Sequence, residues 1–380
     1  MEATAYHLEA RAPFHFGLRG VGIEATATHG PSDTLFSALC HTIRQQRDGL
    51  ATLQEFLAGY ASPDPPLLLS SAFPYVLARR EEEVENWKPP APFDPGQAVR
   101  FFPRPIDWPP GVPDEPKERK TIKKIAWVSE GIFRAWVSGE SLEQHYTPEH
   151  LVQGGRVWLT SEEKGRVAGW RDEETDEIRL WVVGDVPRVT VDRQASTSAV
   201  YQAGRVWFTP GGGLWLLIRW REDWQERGKL ALQVLGDAGL GGERSAGHGL
   251  FHLRGPHTLA SLPDPKPGGQ FLTLSLYYPT EEELPDVLGN DRVSYHLQMR
   301  RGWMASPDDS QDAEGKLVRG RALRRKTVRM FTEGSILRWP DGRTVLGALA
   351  DVTPEAFKTH KVWRYGLAWA VGYRTEGGAP

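Results

Sequence analysis

Leu214-Trp215-Leu216-Leu217-Ile218-Arg219-Trp220 is a nearly all-apolar run, and the elements on its C-terminal side decide the class of fold. Seven residues rich in leucine, isoleucine and tryptophan suit a buried strand. A helix near 223–235 comes next, then a glycine loop at 239–249, then strands at 250–253 and 271–277. The first half of the chain runs in the same order. A weakly alternating strand over 6–12 leads through Gly17, Gly20, Gly22 and Gly30 into a helix, and the apolar run 67–77 reads as strand with a break at Pro74. Strand, helix, strand, strand in both halves predicts an α+β protein of two units, each an antiparallel sheet with helices on one face.

The helix of the first half is the clearest element. Leu35, Leu39 and Ile43 recur at i, i+4 and i+8, and Phe36 and Cys40 widen the stripe into one buried face. Ser32 is placed as its N-cap, with Asp33 at the positive end of the helix dipole. Arg44 and Arg47 fit the last turn and Gly49 the stop. A second helical piece spans about 53–60. Between 89 and 116 stand ten prolines, a density that predicts extended surface chain rather than helix or inner strand. Lys117, Arg119, Lys120, Lys123 and Lys124 follow, and regular structure resumes over 125–137. Beyond an acidic stretch within 138–180, two strand-like runs at 186–192 and 201–208 flank the polar loop 193–200. That pattern predicts a protruding β-hairpin.

The 380 residues are 39% hydrophobic and 25% charged, an ordinary folded composition, and the length favours two domains. The net charge of −3 shows no global affinity for polyanions, so any nucleic-acid surface is local. The single cysteine, Cys40, excludes an internal disulfide framework and a thiolate zinc site. No apolar run reaches the length of a membrane span, and the start lacks the pattern of a signal peptide, so the expected location is cytoplasmic.

Three groups of residues invite a chemical reading. The glycine loop holds Gly239, Gly241, Gly242, Gly247 and Gly249, with Arg244, Ser245 and His248 among them. Such a loop lets backbone approach a ligand closely while the side chains donate to phosphate oxygens. It is not a P-loop, because His248-Gly249 stands where Lys-Ser/Thr is required. It is not a dinucleotide fingerprint or a nucleophile elbow either, because Arg244 and Glu243 occupy required glycine positions. A tight helix-to-strand connection is the alternative reading of the glycines. The second group, Arg193, Gln194 and Ser196 at the hairpin tip, can grip a sugar–phosphate backbone or simply form a polar turn. The third is the run Lys316, Arg319, Arg321, Arg324, Arg325, Lys326 and Arg329, seven cations with no acidic residue between them. Of the eleven histidines, His29, His41 and His248 lie near these loops and are open to a general acid–base reading. His145 and His150 are spaced wrongly for a helical zinc pair. No metal or cofactor is expected.

Four blocks together resemble one family. They are His29-Gly30-Pro31-Ser32-Asp33-Thr34-Leu35-Phe36-Ser37-Ala38-Leu39, residues 188–201, residues 239–251, and His360-Lys361-Val362-Trp363-Arg364-Tyr365-Gly366. The set is similar to the repeat-associated mysterious protein superfamily of CRISPR effector subunits. It most resembles the type III-A Csm subunit that caps the 5′ end of the guide RNA. The resemblance implies two ferredoxin-like (RRM-like) domains with a protruding β-hairpin. The implied division is 1–137 with a proline-rich insertion at 89–124, a connecting segment and hairpin over 138–212, and 213–380 with the glycine loop. It also implies a non-catalytic subunit that holds the 5′ repeat-derived tag of CRISPR RNA. Its implied partners are the large polymerase-like subunit and the repeating backbone subunit. Carried onto this chain, the implied RNA contacts are Arg19, His29 and Ser32; Arg193, Gln194 and Ser196; Gly241, Gly242, Arg244, Ser245, Gly247 and His248; and Arg324 and Arg325. Two alternatives stay open. One is an endoribonuclease of the same superfamily that trims CRISPR precursor RNA with His29 or His248, and the other is the equivalent subunit of a type III-B complex.

Overall fold

A computed structural model describes residues 4–17, 25–78, 93–167, 169–172, 174–192, 197–289, 292–306, 309–311, 317–319 and 323–374. β1 (Thr4–Ala10) leads to α1 (Ser32–Gln45), α2 (Gly49–Ala58), β2 (Leu67–Leu69) and β3 (Phe73–Leu77). The next part holds β4 (Ala98–Pro103), α3 (Pro116–Lys124), β5 (Trp127–Ser129), α4 (Glu130–Ser138), β6 (Leu151–Val152), β7 (Val157–Trp158), α5 (Ser161–Arg166), β8 (Trp170–Arg171) and β9 (Ile178–Arg179). Two long strands, β10 (Trp181–Asp192) and β11 (Thr197–Phe208), precede β12 (Gly213–Trp220), α6 (Gln225–Ala238) and β13 (Phe251–Thr258). The remainder comprises β14 (Gln270–Thr273), α7 (Glu283–Leu288), β15 (Leu297–Arg300), β16 (Asp309–Gln311), β17 (Leu317–Arg319), β18 (Val328–Phe331), β19 (Ile336–Arg338), β20 (Ala350–Asp351), β21 (Trp363–Arg364) and β22 (Ala370–Tyr373).

One nine-stranded sheet organises the molecule, in the order β13-β1-β12-β3-β4-β5-β7-β6, with β2 also paired to β12. Every pairing is antiparallel except β5 with β7. The apolar run 214–220 is therefore the centre of the sheet, with Leu214, Trp215, Leu217 and Ile218 fully buried. It lies between β1 and β3, which are far away in sequence. The expected boundaries at 137 and 212 consequently fall within a single sheet. β12, α6 and β13, assigned by sequence to the second half, complete the sheet begun by β1 and β3. Helix α1 packs against α2 and α6. Its buried face is the predicted one, with Leu35, Phe36, Leu39 and Ile43 at most 2% exposed.

The insertion between β3 and β12 shares this core. Phe102 stacks on Phe133 at 4.2 Å and meets Trp215 at 4.8 Å, while the Trp215 indole donates to the Phe101 carbonyl at 3.0 Å. The proline-rich stretch thus contains an inner strand, contrary to expectation. Pro95 and Pro103 bracket a proline-free segment long enough for β4 to pair on both edges, and Val99, Phe101 and Phe102 are buried. The stretch within 138–180 is not merely a connection either, because β7 extends the same sheet through β5.

Three local expectations are corrected as well. Ser32 is not the N-cap. It sits inside the first turn, where its N–H donates to Ser71 Oγ at 2.9 Å and its own Oγ accepts from the Leu276 N–H at 3.0 Å. Gly49 does not end α1 but begins α2, where a Cβ would stand 2.3 Å from the Arg44 carbonyl oxygen. The break in 67–77 falls at Ser70-Ser71-Ala72, whereas Pro74 lies within β3 opposite Leu214.

β10 and β11 pair with each other over twelve residues each, as an antiparallel ribbon. The β19-β14-β22 sheet carries a smaller core of Phe271, Tyr277, Phe331, Leu337 and Trp339. Leu272, Leu274 and Tyr365 join it to the main core.

Candidate RNA-binding cleft

Residues 13–17 are the seam to which the glycine loop, the base of the ribbon and the chain just before His29 are fastened. Phe14 exchanges backbone hydrogen bonds with Val206 at the base of the ribbon, at 2.9 and 3.0 Å. One residue further on, the His15 carbonyl accepts from the Gly242 N–H at 2.8 Å, which fastens the glycine loop to the same segment. The Phe16 carbonyl accepts from Ala27, just before the turn at His29. Only glycine serves at Gly241, whose φ is +98° and whose Cβ would stand 2.4 Å from the His15 carbonyl oxygen.

A cavity of about 100 Å³ opens along this seam. His15, His29, Gly241 and Gly242 line it together with Pro31, Thr34, Gln298 and Arg300. His15 Nδ1 lies 2.7 Å from the Gly204 carbonyl, which can only accept. Nδ1 therefore carries a proton, and Nε2 is left as the acceptor in the neutral ring. The His29 ring packs edge-on against Trp127 at 5.4 Å, and its Nε2 is 3.9 Å from Glu333 Oε1. Burial lowers the His29 pKa more than Glu333 raises it, so the ring is neutral at pH 7.

Behind the cavity lies a buried charge cluster that the sequence did not disclose. Arg300 grips Asp33 with two hydrogen bonds, Nε to Oδ2 at 2.9 Å and Nη2 to Oδ1 at 2.6 Å. Arg364 donates to the same carboxylate, and its Nη2 reaches the Arg301 carbonyl at 3.2 Å. Asp33 and Arg364 side chains are each 1% exposed. Burial alone raises the Asp33 pKa, but the two guanidinium groups outweigh it and hold the carboxyl well below the usual carboxylate range. Asp33 thus anchors the cluster rather than decorating a helix dipole. Arg300, Arg364 and Arg325 against the Asp33 and Glu333 carboxylates leave a single net positive charge beside a cavity that Arg300 lines.

The other sequence-predicted residues divide clearly. Arg244, Ser245 and Gly247 are exposed on a single helical turn next to the cavity. Two expected contacts face inward instead. Ser32 is buried between Ser71, in the break before β3, and Leu276, just past β14, and His248 is 2% exposed, where it is closed to a stacking base. Arg324 is exposed and lies over Trp303 at 4.7 Å, and half-buried Arg325 sits near Arg364; neither lines the cavity. Arg19, Arg193, Gln194 and Ser196 lie outside the described residues. Sequence reading missed His15, Gln298, Arg300 and Trp127. The only local signal was the Arg300-Arg301 doublet. A compact His7, Tyr75 and Arg100 cluster also exists, but both rings are fully buried, with Arg100 Nε 3.0 Å from His7 Nε2. Among the described residues no group of His, Cys, Asp and Glu is arranged to hold a metal ion, and no helix is long and apolar enough to cross a membrane.

The sequence relatives decide the family. A curated relative from Mycobacterium tuberculosis (strain CDC 1551 / Oshkosh), the CRISPR system Cms protein Csm4, is 30% identical over 351 residues, covering 92% of this chain and 91% of that one. The chain belongs to the Csm4 family. The family described as CRISPR Csm4 C-terminal domain matches residues 266–373. A Csm4 from Thermococcus onnurineus (strain NA1) is 28% identical over 193 residues, covering 50% of this chain and 53% of that one. In fold the chain is similar to one in the crystal structure of a Csm3–Csm4 subcomplex of the type III-A CRISPR-Cas interference complex. The TM-score there is 0.59 at 16% identity, covering 98% of this chain and 99% of that one. A crystal structure of a Csm1–Csm4 cassette with cA4 gives 0.53 at 18% identity, covering both chains completely.

Proposed function

We propose that this Csm4-family chain is a non-catalytic subunit of a type III-A CRISPR effector, holding the 5′ repeat-derived tag of the guide RNA in the cleft along residues 13–17. Its partners are the large polymerase-like subunit and the repeating backbone subunit. The solved relatives pair Csm4 with Csm3 and with Csm1, which supports that choice of neighbours. One observation carries the RNA reading. The His29 turn, the glycine loop and the base of the long ribbon are distant in sequence, yet they are fastened to one short segment, and Arg300 adds positive charge there. Backbone N–H groups, a neutral histidine and an exposed Arg244 suit phosphate and 2′-hydroxyl groups better than base edges.

The finer architecture belongs to the same proposal. The elements β1, α1, β3, β12, α6 and β13 follow one another as strand, helix, strand, strand, helix, strand. Their sheet order is β13-β1-β12-β3 with antiparallel neighbours, which supports a ferredoxin-like unit interrupted between β3 and β12. The β10–β11 ribbon is then its protruding hairpin, and a second such unit is built on β14, β19 and β22.

The test is co-purification of the assembled complex followed by RNA extraction. Bound RNAs are expected to share a short common 5′ end. Replacing both His29 and Arg244 with alanine is expected to lower guide occupancy at least tenfold, since a hydrogen bond to a charged group contributes about 1.5–3 kcal/mol. Unchanged occupancy in that variant would overturn the assignment of the cleft. Metal-independent cleavage of repeat RNA by the purified chain, abolished by His29→Ala, would replace the architectural role with a ribonuclease.

A further inference from the structure

We infer that the exposed face of α3, together with Arg156, is a second polyanion-binding surface that takes the phosphate backbone of single-stranded RNA beyond the cleft. This rests on the proposed RNA-binding role and extends the strand's path. Helix α3 lies in the insertion between β3 and β12, outside every block that carried the family resemblance. Only Ile122 buries its side chain, while Lys117, Lys120, Lys123 and Lys124 are exposed. Lys117, Lys120 and Lys124 fall at i, i+3 and i+7, one face spanning about 10 Å of helix.

The charge on this face is only partly offset, since Glu115 and Glu118 stand against four lysines and Arg156. Asp114 is taken by Arg119, at 2.6 and 2.9 Å, and Glu118 accepts from the Tyr146 hydroxyl at 2.5 Å. Glu115, at the helix entry, makes no ion pair among the described residues, and neither do the four lysines or exposed Arg156. Four neighbouring ammonium groups repel one another, so the face is stabilised by whatever anion covers it. Its chemistry favours a nucleic acid over a protein partner. The helix presents no exposed aromatic or large aliphatic side chain to anchor a protein interface, and lysine acts as a point charge suited to sequence-independent phosphate contact.

The patch is also tied to the cleft through the packing beneath it. The Arg156 carbonyl accepts from the N–H groups of Ala126 and Trp127, at 2.9 and 3.1 Å, and the Trp127 ring is the one packed on His29. Arg104, just past β4, holds the end of α3 through the Ile125 carbonyl at 3.1 Å. A strand leaving the cleft past Trp127 therefore meets Arg156 and Lys124 first.

The experiment titrates the purified full-length chain with fluorescently labelled oligouridylate across a series of salt concentrations. It compares wild type, the Lys117→Glu, Lys120→Glu, Lys124→Glu triple variant, its Lys→Gln counterpart, and the His29→Ala, Arg244→Ala cleft variant. Three single-strand phosphate contacts contribute a log–log salt slope of about −2, or roughly 20-fold in affinity over a fourfold rise in salt. Both lysine variants are expected to lose that part of the slope while still folding, because the side chains are exposed. The same loss with an unaffected cleft variant would keep this surface and overturn the cleft. An unchanged slope in the lysine variants alongside weakened binding in the cleft variant would overturn this surface and keep the cleft. Failure of the wild-type chain to bind the probe, or loss of a protein neighbour with RNA binding intact, would also overturn it.

Discussion

Asp33→Ala is expected to cost the fold about 3–5 kcal/mol, the range for removing one partner of a buried ion pair, read as a lower denaturation midpoint at unchanged m-value. The reason is arithmetic of charge. Arg300 and Arg364 both direct their donors to this carboxylate, and Arg364 is sealed at 1% exposure. Without the anion, the sealed Arg364 loses its carboxylate and Arg300 keeps only the field of Glu333. Asp33→Asn keeps the shape but not the charge, so it is expected to cost nearly as much. Replacing the cluster by Leu at 33 with Met at 300 and 364 is expected to be milder, because neither arginine is then left without the Asp33 carboxylate. A cost below about 1 kcal/mol for Asp33→Ala, the range of an exposed pair, would show that the cluster is wet and weakly coupled.

The same cluster fixes a direction with pH. The Asp33 carboxyl ionises at lower pH in the folded chain than in the unfolded one, so its contribution is complete above the unfolded pKa of about 3.9. It is lost as the pH falls below that value, when the unfolded state takes up a proton first. Denaturation midpoints measured between pH 7 and pH 3 should fall in the wild type and fall less steeply in Asp33→Asn.

How much the sequence disclosed depends on how far each signal reaches. The buried stripe Leu35, Leu39 and Ile43 is a local repeat, and so are the apolar run of β12 and the paired runs of the ribbon. The first two took the expected form; the ribbon strands pair, but they run from Trp181 and from Thr197, the latter inside the stretch read as loop. The strand β4 hid inside the proline stretch because the density of prolines was averaged over a window wider than the gap between Pro95 and Pro103. Ser32 and Asp33 look like an ordinary helix start, and nothing nearby contradicts that. Besides Ser71, their partners are Leu276, Arg300 and Arg364, between 244 and 331 residues away. The division into halves failed for the same reason. A sheet that inserts β12 between β1 and β3 is specified by burial on both faces, and no run of sequence records which strand will be its neighbour. The cleft was half legible, through the glycines and His29. Its charge was not, since Arg300 becomes part of the cleft only when β15 folds against α1.

The glycine loop offers a sharper test of the cleft than any charge removal, because two of its glycines differ in what surrounds them. Gly241 and Gly247 both have positive φ, +98° and +80°. At Gly247 a Cβ meets nothing within 4 Å, so Gly247→Ala incurs only the left-handed backbone penalty of about 1–2 kcal/mol. At Gly241 the Cβ would stand 2.4 Å from the His15 carbonyl oxygen and 3.3 Å from the Phe16 ring, so the backbone itself must move. Overpacking adds about 1–3 kcal/mol to the same conformational penalty. The movement also separates the loop from residues 13–17, the seam to which the ribbon and the His29 turn are fastened. Gly241→Ala is therefore expected to abolish guide occupancy in the purified complex while leaving a folded, less stable chain. Gly247→Ala should retain most of the RNA at a modest cost in stability. Measuring occupancy and denaturation midpoint on both variants separates the effects. If the two lose RNA equally, exposed backbone at the loop tip does the gripping; if only Gly241→Ala does, the loop works by closing one wall of the cleft.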